Sequence, residues 1–470
     1  MASVSDLTQE TVAGLASRLR AREVSAVEVA GAFLSRADAL GPDAHIFITR
    51  TPELALEAAR ATDARIGAGK PLGLLDGVPF GIKDIMWLAG VRCTSGSEIE
   101  AGFVPDRHAG AVSRFLDAGA VPVGKTNTVE FAFDPTGRNA HYGMARNPWG
   151  PGHLPGGSSS GTGAGVASGA MPIGFGTDTG GSIRIPSALC GLTGLKPTFG
   201  LVSRAGVTPL SHSLDTIGPL ARSAEDAAIA MSVLAGHDPA DPASRPGPAQ
   251  DYLGALAGGV RGLRIGVPRE YVWEVMDPQV AAAFQTAMEV FRELGAQVQE
   301  VSIPQLAWTG PLAVAITTAE AAMVHGPNVR AQGERFDQAV RRRVESGMFI
   351  SAERYAHAQR ARVAYTRAVN AAFAGVDLLA TPTVPVPSPD QGNETMTVEG
   401  VEVPVREALL RLTRIFNISR LPALALPSGF AENGLPLSVQ LAGPAYADAL
   451  VLRAGHAFQQ ATDWHARRAP

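Results

Sequence analysis

Two glycine-rich stretches inside a region of few charges constrain the fold of this chain more than any other feature. The region covers residues 72–215 and also holds short apolar segments typical of buried strands, such as 78–82 and 120–123. The two stretches read LPGGSSSGTGAGVASG (154–169) and GTDTGGSIRIPSALCGLTGLKPTFG (176–200). Glycine lets a backbone turn sharply and approach other groups closely. We therefore predict two tight loops in this region, the first of which enters a buried helix.

Helical and strand patterns alternate through the rest of the chain. Ser25 and Glu28 form a capping box before an apolar run to Leu40, and Thr51 before Pro52 opens a second helix. The downstream segments are helices after 223, after 278 and over about 310–374, and strands over 262–268, 297–303 and 376–383. Such alternation predicts an α/β sheet covered by helices. Neither an internal repeat nor an interdomain linker is evident, which predicts one domain over residues 1–470.

Composition limits the classes of partner. Hydrophobic residues make up 46% of the chain and charged residues 18%, so the chain can bury a large core. A net charge of -4 gives no strong field for nucleic acid or an anionic membrane, and the basic cluster 341–343 is too short to change that. We expect a small-molecule partner, with no nucleic acid and no membrane.

The start of the chain and its cysteines indicate the compartment. The first residues, MASVSDLTQE, lack the basic start and apolar run of a signal peptide, and we find no charge-free run of about 18 apolar residues elsewhere. This predicts a cytoplasmic location. Cys93 and Cys190 stand outside any metal-spaced pattern and are expected to be reduced packing residues. We expect neither a metal nor a cofactor.

The glycine-rich region partly matches three familiar sequence motifs. A dinucleotide fingerprint needs Gly-x-Gly-x-x-Gly directly after a strand, whereas the glycines of 161–165 recur every second residue behind a turn. The segment 157–161 fits a nucleophile elbow centred on Ser159, but the later acid and histidine of such an enzyme are not evident. The segment GAVPVGKT (119–126) fits a phosphate loop, yet Pro122 has no N–H to offer and a helical pattern precedes it, which reverses the required order.

The second stretch offers a stronger candidate nucleophile. Gly180 and Gly181 precede Ser182, and they would let backbone N–H groups crowd around one point, as an oxyanion hole requires. An isolated Gly-Gly-Ser turn also occurs without any chemistry. Two further features accompany this one: a lysine inside an apolar strand, Lys83 in GVPFGIKDIMWLAGVRCTSGS (77–97), and the serine pair Ser158 and Ser159. The combination favours chemistry at Ser182.

These motifs, in this order, resemble the amidase signature family. In that family Gly-Gly-Ser-Ser-Gly-Gly-Ser is followed by Asp-x-Gly-Gly-Ser-Ile-Arg, and an upstream lysine stands in Pro-x-x-x-Lys-Asp. The resemblance is dense from 72 to 226, although Ser160 replaces a glycine often seen there, and it returns weakly at DLLATPT and LPALALPSGF. It implies a large mixed central β-sheet covered by helices on both faces, with an N-terminal helical segment over about 1–70 and a signature core over about 72–226.

Carried over residue by residue, the resemblance implies a Ser-Ser-Lys triad. Ser182 would be the acyl-accepting nucleophile, Ser158 the bridging serine and Lys83 the terminal base. Burial in an apolar strand disfavours a charged lysine, so its pKa should fall and leave a neutral amine able to accept a proton. An ion pair between Lys83 and Asp84 is the alternative, but adjacent strand residues point to opposite faces.

The other site roles also come from the resemblance. Backbone N–H groups near the nucleophile would hold the oxyanion, namely those of Thr179, Gly180, Gly181 and Ser182. Asp178 and Arg184 are expected to brace this loop through hydrogen bonds or a salt bridge. His212 and Asp215 could be taken for parts of a Ser-His-Asp set, but we expect both to be structural.

The implied function is hydrolysis of a C–N bond in a small or aryl carboxamide through an acyl-enzyme. Carbamate (urethane) hydrolysis and ureide or biuret-type hydrolysis would use the same triad and stay open. A further alternative is the glutaminase A subunit of a tRNA-dependent amidotransferase, because VRRRVESG (340–347) is similar to its glutamine site, with Arg343 where a carboxylate would bind. We expect the substrate pocket to use 134–143 and 313–355, and the assembly to be a monomer or homodimer.

Overall fold

The computed structural model describes residues 4–470. Its strands are β1 (Phe47–Arg50), β2 (Pro79–Lys83), β3 (Val121–Thr126), β4 (Ile173–Thr177), β5 (Thr193–Lys196), β6 (Ile217–Ala221), β7 (Arg264–Pro268), β8 (Gln297–Val301), β9 (Leu378–Pro382), β10 (Thr395–Val398), β11 (Val401–Pro404), β12 (Ala423–Phe430) and β13 (Pro436–Ala442). Eleven of them form one sheet in the order β1-β3-β2-β4-β6-β5-β12-β13-β9-β7-β8. The pairs β2–β3, β2–β4, β7–β9 and β7–β8 are parallel and the other neighbours antiparallel, so the sheet is mixed as predicted.

Helices precede, connect and follow these strands. They are α1 (Val4–Gln9), α2 (Val12–Arg20), α3 (Ala26–Leu40), α4 (Pro52–Gly67), α5 (Gly110–Asp117), α6 (Ser160–Ala167), α7 (Arg184–Leu189), α8 (Ala224–Leu234), α9 (Tyr252–Ala255), α10 (Pro278–Glu293), α11 (Thr309–Gln332), α12 (Gln338–Met348), α13 (Ala352–Ala372), α14 (Val405–Leu410), α15 (Arg414–Ile418) and α16 (Asp448–Gln460). The N-terminal helical segment therefore consists of α1 to α4, interrupted by the short strand β1.

The capping signals read from the sequence mark real helix starts. The Ser25 hydroxyl accepts a hydrogen bond from the Glu28 N–H at 3.1 Å, and the Glu28 carboxylate accepts one from the Ser25 N–H at 2.8 Å. Thr51 does precede α4, but its hydroxyl donates to the Pro122 carbonyl at 2.8 Å and does not cap the helix. The cap position was predicted correctly there, while the side chain ties α4 to the sheet.

Both faces of the sheet are buried. Along β12, Leu424 and Leu426 belong to an apolar cluster that includes α8 and α16. The neighbouring Ala423 belongs to another cluster, which includes α11 and α13. Since successive strand residues point to opposite faces, helices cover the sheet on both sides. This confirms the fold class expected from the resemblance.

Two parallel neighbours in the sheet bring polar residues together. Strands β2 and β4 run in the same direction, so their carboxyl ends meet at one sheet edge. Lys83 ends β2 and Thr177 ends β4. Phe80 and Ile82 of β2 lie in the apolar cluster on the opposite face. The period of two residues therefore turns Lys83 away from that cluster.

The phosphate-loop match has a purely structural explanation. Lys125 lies inside β3 and is fully buried, and its Nζ lies 2.7 Å from Asp84 Oδ1. Asp84 also accepts a hydrogen bond from the Thr94 N–H at 2.9 Å. This pair also explains why Asp84 does not neutralise Lys83, as the alternation of strand side chains predicted.

Two other features bear on the expected compartment and cofactors. Cys93 and Cys190 are both free and buried. Among the described residues, no helix combines the length and apolar character needed to cross a membrane. Over the same residues, no group of three or more histidine, cysteine or acidic side chains is placed to hold a metal ion.

Candidate active site

The centre of the site is a fully buried lysine that contacts two hydroxyl groups. Lys83 Nζ lies 2.7 Å from Ser158 Oγ and 2.8 Å from Thr177 Oγ1. All three side chains come from the edge where β2 and β4 end or from the loop that enters α6. Sequence analysis did not single out Thr177, although its place at the end of a strand, next to the glycine-rich loop that carries Ser182, was a usable signal.

Ser158 is held firmly by its backbone. Its carbonyl accepts hydrogen bonds from Thr128 Oγ1 at 2.9 Å and from the Val129 N–H at 3.2 Å. The Gly157–Ser158 peptide bond is cis. Ser158 is fully buried, so its hydroxyl is fixed against Lys83 in a site without bulk water.

Ser182 lies on the loop between β4 and α7. Its side chain is 6% exposed and lines a cavity of about 30 Å³. Among the described residues, no hydrogen bond joins the Ser182 and Ser158 hydroxyls. The first link of the predicted relay, from Lys83 to Ser158, is therefore formed in this state of the protein, and the second link is open.

The loop that carries Ser182 offers backbone donors. Within the described residues, four consecutive N–H groups have no hydrogen-bond acceptor, those of Thr179, Gly180, Gly181 and Ser182. Buried N–H groups are rarely left unpaired, so this run can receive a negatively charged oxygen. Gly181 has φ +141°, and a Cβ there would lie 2.4 Å from Thr413 Oγ1. Only glycine fits this position without displacing α15 or the loop.

A buried hydrogen-bond network anchors the loop that carries Ser182. Arg184 donates to both carboxylate oxygens of Asp178 at 3.0 Å, and both residues are fully buried. Arg184 also donates to Gln440 Oε1 at 2.9 Å and Asn417 Oδ1 at 2.8 Å. Burial opposes ionisation of Asp178, but the charge and hydrogen bonds of Arg184 outweigh it and hold the pKa below its usual value. These contacts support the expectation that Asp178 and Arg184 brace this loop.

Replacing Asp178 is expected to destabilise the fold. In Asp178→Ala, the Arg184 guanidinium would stay buried with only amide partners, which costs about 3 to 5 kcal/mol of unfolding free energy. Glu274→Ala serves as a control, because Glu274 pairs with Arg411 while 64% exposed, and losing such a pair costs at most about 1 kcal/mol. Urea denaturation of both variants measures the difference. Equal losses would show that the Asp178 pair does not anchor the fold.

Burial also determines the proton affinity of Lys83. Removal from water lowers its pKa to about 7, against the opposing attraction of Asp215 and Asp178. A substantial fraction of Lys83 is thus a neutral amine near neutral pH. Such an amine can accept a proton from the Ser158 hydroxyl that it contacts.

The histidine alternative does not match the structure. His212 is half exposed and its Nδ1 lies 3.5 Å from Glu320 Oε2. Asp215 instead accepts hydrogen bonds from the Leu210 and Ser211 N–H groups at 2.9 Å, and from the Thr179 hydroxyl. These residues support the loop and do not form a Ser-His-Asp set.

The other glycine-rich alternatives also have structural explanations. Ser159 Oγ is buried without a hydrogen-bond partner, and it packs against β4 at Gly176. Gly161 lies in α6, where an added Cβ would come 2.3 Å from the Ile46 carbonyl oxygen. The glycine lets α6 pack directly on neighbouring backbone. A dinucleotide loop and a nucleophile elbow at Ser159 therefore both fail to match.

The cavity at Ser182 only partly uses the segments predicted for it. Asp134, Pro135 and Thr317 come from the expected ranges. Three further lining residues come from α14 and α15, Arg406, Leu410 and Arg414, which the sequence did not point to. A second cavity of about 120 Å³ shares part of the same wall and reaches Thr177.

Arg343 does not line the Ser182 cavity. Its Nη2 lies 2.6 Å from Asp134 Oδ2, and its Nη1 donates to the Phe133 carbonyl at 3.0 Å. It borders a neighbouring cavity of about 320 Å³, with Arg406 as a shared wall residue. The predicted carboxylate ligand is thus already paired in this structure.

Comparison with known proteins gives the family. A family model described as Amidase matches residues 28–452. The A subunit of the glutamyl-tRNA(Gln) amidotransferase of Chloroflexus aggregans is 43% identical over 99% of both chains. A structure reported from a vestigial protein complex, on the origins of an s-triazine catabolic enzyme, has a TM-score of 0.93 at 36% identity and covers 96% of this chain and 98% of its own. A bacterial aryl acylamidase has a TM-score of 0.89 at 27% identity, with coverage of 97% and 96%.

The fold and these likenesses define an enzyme class that acts on C–N bonds. The chain belongs to the amidase signature family.

Proposed function

We propose that this enzyme hydrolyses the C–N bond of a carboxamide through an acyl-enzyme on Ser182, with Ser158 and Lys83 as the proton relay. One observation carries the proposal. Lys83 Nζ contacts Ser158 Oγ at 2.7 Å, and the loop that carries Ser182 has four consecutive backbone N–H groups without an acceptor among the described residues. A base, a bridging hydroxyl, a nucleophile and oxyanion donors are the parts that acyl transfer needs.

The proton moves along the relay in both directions. Neutral Lys83 takes the Ser158 proton while Ser158 takes that of Ser182, whose Oγ attacks the carbonyl carbon. The oxygen of the tetrahedral intermediate becomes negative and is held by the N–H groups of the loop. Lys83 then returns a proton through Ser158 to the leaving nitrogen, and the C–N bond breaks to release an amine or ammonia. Water attacks the acyl-enzyme by the same relay and releases the acid.

The open link between the two serines fits this mechanism. A rotation of the Ser182 side chain is enough to move its hydroxyl, because a serine has a single side-chain torsion for heavy atoms. Hydrogen bonds in catalytic sites often tighten only when substrate is bound. We expect substrate in the oxyanion hole to favour the rotamer that contacts Ser158.

A panel of substrates tests the proposal. Aryl amides, aliphatic amides, carbamates, ureides and glutamine are incubated with the enzyme, and a fluorophosphonate probe labels the nucleophile for mass spectrometry. We expect hydrolysis of at least one amide and a label on Ser182. Carbamate or ureide hydrolysis would keep the relay and change the substrate class. A label on Ser159 would contradict the relay.

A glutaminase component of an amidotransferase is a second candidate function. It is favoured by the 43% identity to the A subunit of such an enzyme along almost the whole length of both chains. In that case glutamine hydrolysis by this chain would rise when the other amidotransferase subunits are added, and the chain would copurify with them. Equal glutaminase rates with and without those subunits, and no complex on size exclusion, would exclude it.

A further inference from the structure

A chain of alternating charges begins at Arg343 in the neighbouring cavity and reaches the wall of the Ser182 cavity, where Asp134, Arg406 and Arg414 are lining residues. Arg343 and Arg406 approach the Asp134 carboxylate from two sides, with N···O distances of 2.6 and 3.7 Å. Arg406 also pairs with Glu407 at 2.5 Å, and Arg414 pairs with the same carboxylate at 2.7 Å. Three guanidinium groups thus face two carboxylates. Because arginine stays ionised, these direct pairs contain one more positive than negative charge, and the further carboxylates of Asp337 and Glu394 act on the Arg343 end of the network, away from the Ser182 cavity.

The arginines of this network are not fully paired within the protein. Arg406 Nε is buried and makes no hydrogen bond, since its 3.7 Å distance from Asp134 Oδ2 is too long for one. Arg414 is 6% exposed and lies along the nucleophile loop. A Cβ added at Gly180 would be 4.0 Å from Arg414 Nε. Two cationic groups therefore lie at the cavity wall next to the oxyanion donors.

The remaining wall offers little to a positively charged group. It is largely apolar, with Ala132, Phe133, Leu210 and Leu410 among its residues. Among the described lining residues, the acidic side chain is Asp134. That carboxylate already pairs with Arg343 and accepts a hydrogen bond from the Thr136 N–H at 2.9 Å. An ammonium group on the substrate would have to compete with these partners.

We propose that the substrate is an amide that carries a carboxylate and no neighbouring ammonium group, with Arg406 and Arg414 binding the carboxylate. This inference rests on the proposed amide hydrolysis and narrows its substrate class. An anionic acid amide fits the excess charge, whereas an amino acid amide such as glutamine leaves its ammonium beside guanidinium groups. Two like charges in contact repel strongly when water is excluded from them.

A matched series of substrates tests the charge preference. Succinamate and glutaramate are compared with the neutral diamides succinamide and glutaramide, and with asparagine and glutamine, by ammonia release. We expect kcat/KM for the best acid amide to exceed that of its diamide and of its amino acid analogue by at least about tenfold. Equal or higher values for diamides or amino acids would overturn the inference while amide hydrolysis stands. Absence of hydrolysis of every amide, including the neutral ones, would overturn both.

Variants identify the groups responsible. Arg406→Gln is expected to raise KM for the acid amide at least about tenfold and to raise KM for the diamide by a clearly smaller factor, because the diamide has no carboxylate for the guanidinium to bind. Arg342→Gln is the matched control, because Arg342 is exposed on α12, next in sequence to Arg343. A loss in Arg406→Gln that is equal for acid amide and diamide would assign Arg406 a structural role and overturn the proposed contact.

Discussion

Ser182→Ala is expected to lower the rate of amide hydrolysis by about 10⁴-fold or more while the protein stays folded. The variant keeps the N–H groups of the loop and the Lys83 to Ser158 contact, and it removes the oxygen that forms the acyl-enzyme. Any remaining rate would come from an oxyanion hole without a nucleophile. Single-turnover kinetics and loss of fluorophosphonate labelling measure the effect.

Ser159→Ala is the matched control for that experiment. Ser159 lies in a Gly-x-Ser-x-Gly pattern, but its hydroxyl is buried, unpaired and does not cap α6. Removing an unsatisfied hydroxyl costs little, so we expect unfolding free energy within about 1 kcal/mol of wild type and nearly unchanged turnover. If Ser159→Ala were inactive and Ser182→Ala active, the nucleophile would be the other serine.

Local sequence patterns predicted features of the fold that depend on one region of the chain. The capping box at Ser25 identified the start of α3, and the helix predicted after 223 begins at Ala224, where Ser223 is the N-cap. Alternation along β2 predicted that Lys83 and Asp84 would face different partners, and Asp84 does pair with Lys125. Such features depend on neighbours a few residues away, so a sequence records them directly.

The site residues that the sequence did not predict all depend on contacts between distant segments. Asn417 and Gln440 hold Arg184 although both lie more than 230 residues further along the chain. Arg406 and Arg414 reach the Ser182 cavity because α14 and α15 pack beside the nucleophile loop. Nothing in the local pattern around these residues marks them, because an arginine on a short helix is more often exposed to solvent. Their role follows from the packing alone.

Lys83→Met is expected to lower hydrolysis about 10²- to 10⁴-fold and to change its dependence on pH. In the proposed relay the base is the neutral amine of Lys83, so kcat/KM should rise with pH through about 7, where Lys83 loses its proton, and then level off. Methionine keeps the four-atom stem of the side chain and removes the amine, so this limb of the pH profile should vanish. Lys83→Arg, which keeps a charge at every accessible pH, should be inactive from pH 6 to 9.

Stability measurements on Lys83→Met separate a catalytic loss from a folding defect. The pKa of Lys83 lies near 7 in the folded protein and near 10.5 in the unfolded chain, so the unfolded chain binds more protons between these values. Burial of Lys83 therefore lowers the free energy of unfolding by an amount that grows as pH falls from 10.5 to 7 and is constant below pH 7. Methionine does not titrate and avoids this loss of stability. The free energy of unfolding of Lys83→Met should therefore equal or exceed that of the wild type at pH 7, and the difference should be smaller at pH 10. If Lys83→Met is inactive but more stable than the wild type at neutral pH, the Lys83 amine serves proton transfer. If the variant is less stable, Lys83 is instead a structural partner of Ser158 and Thr177.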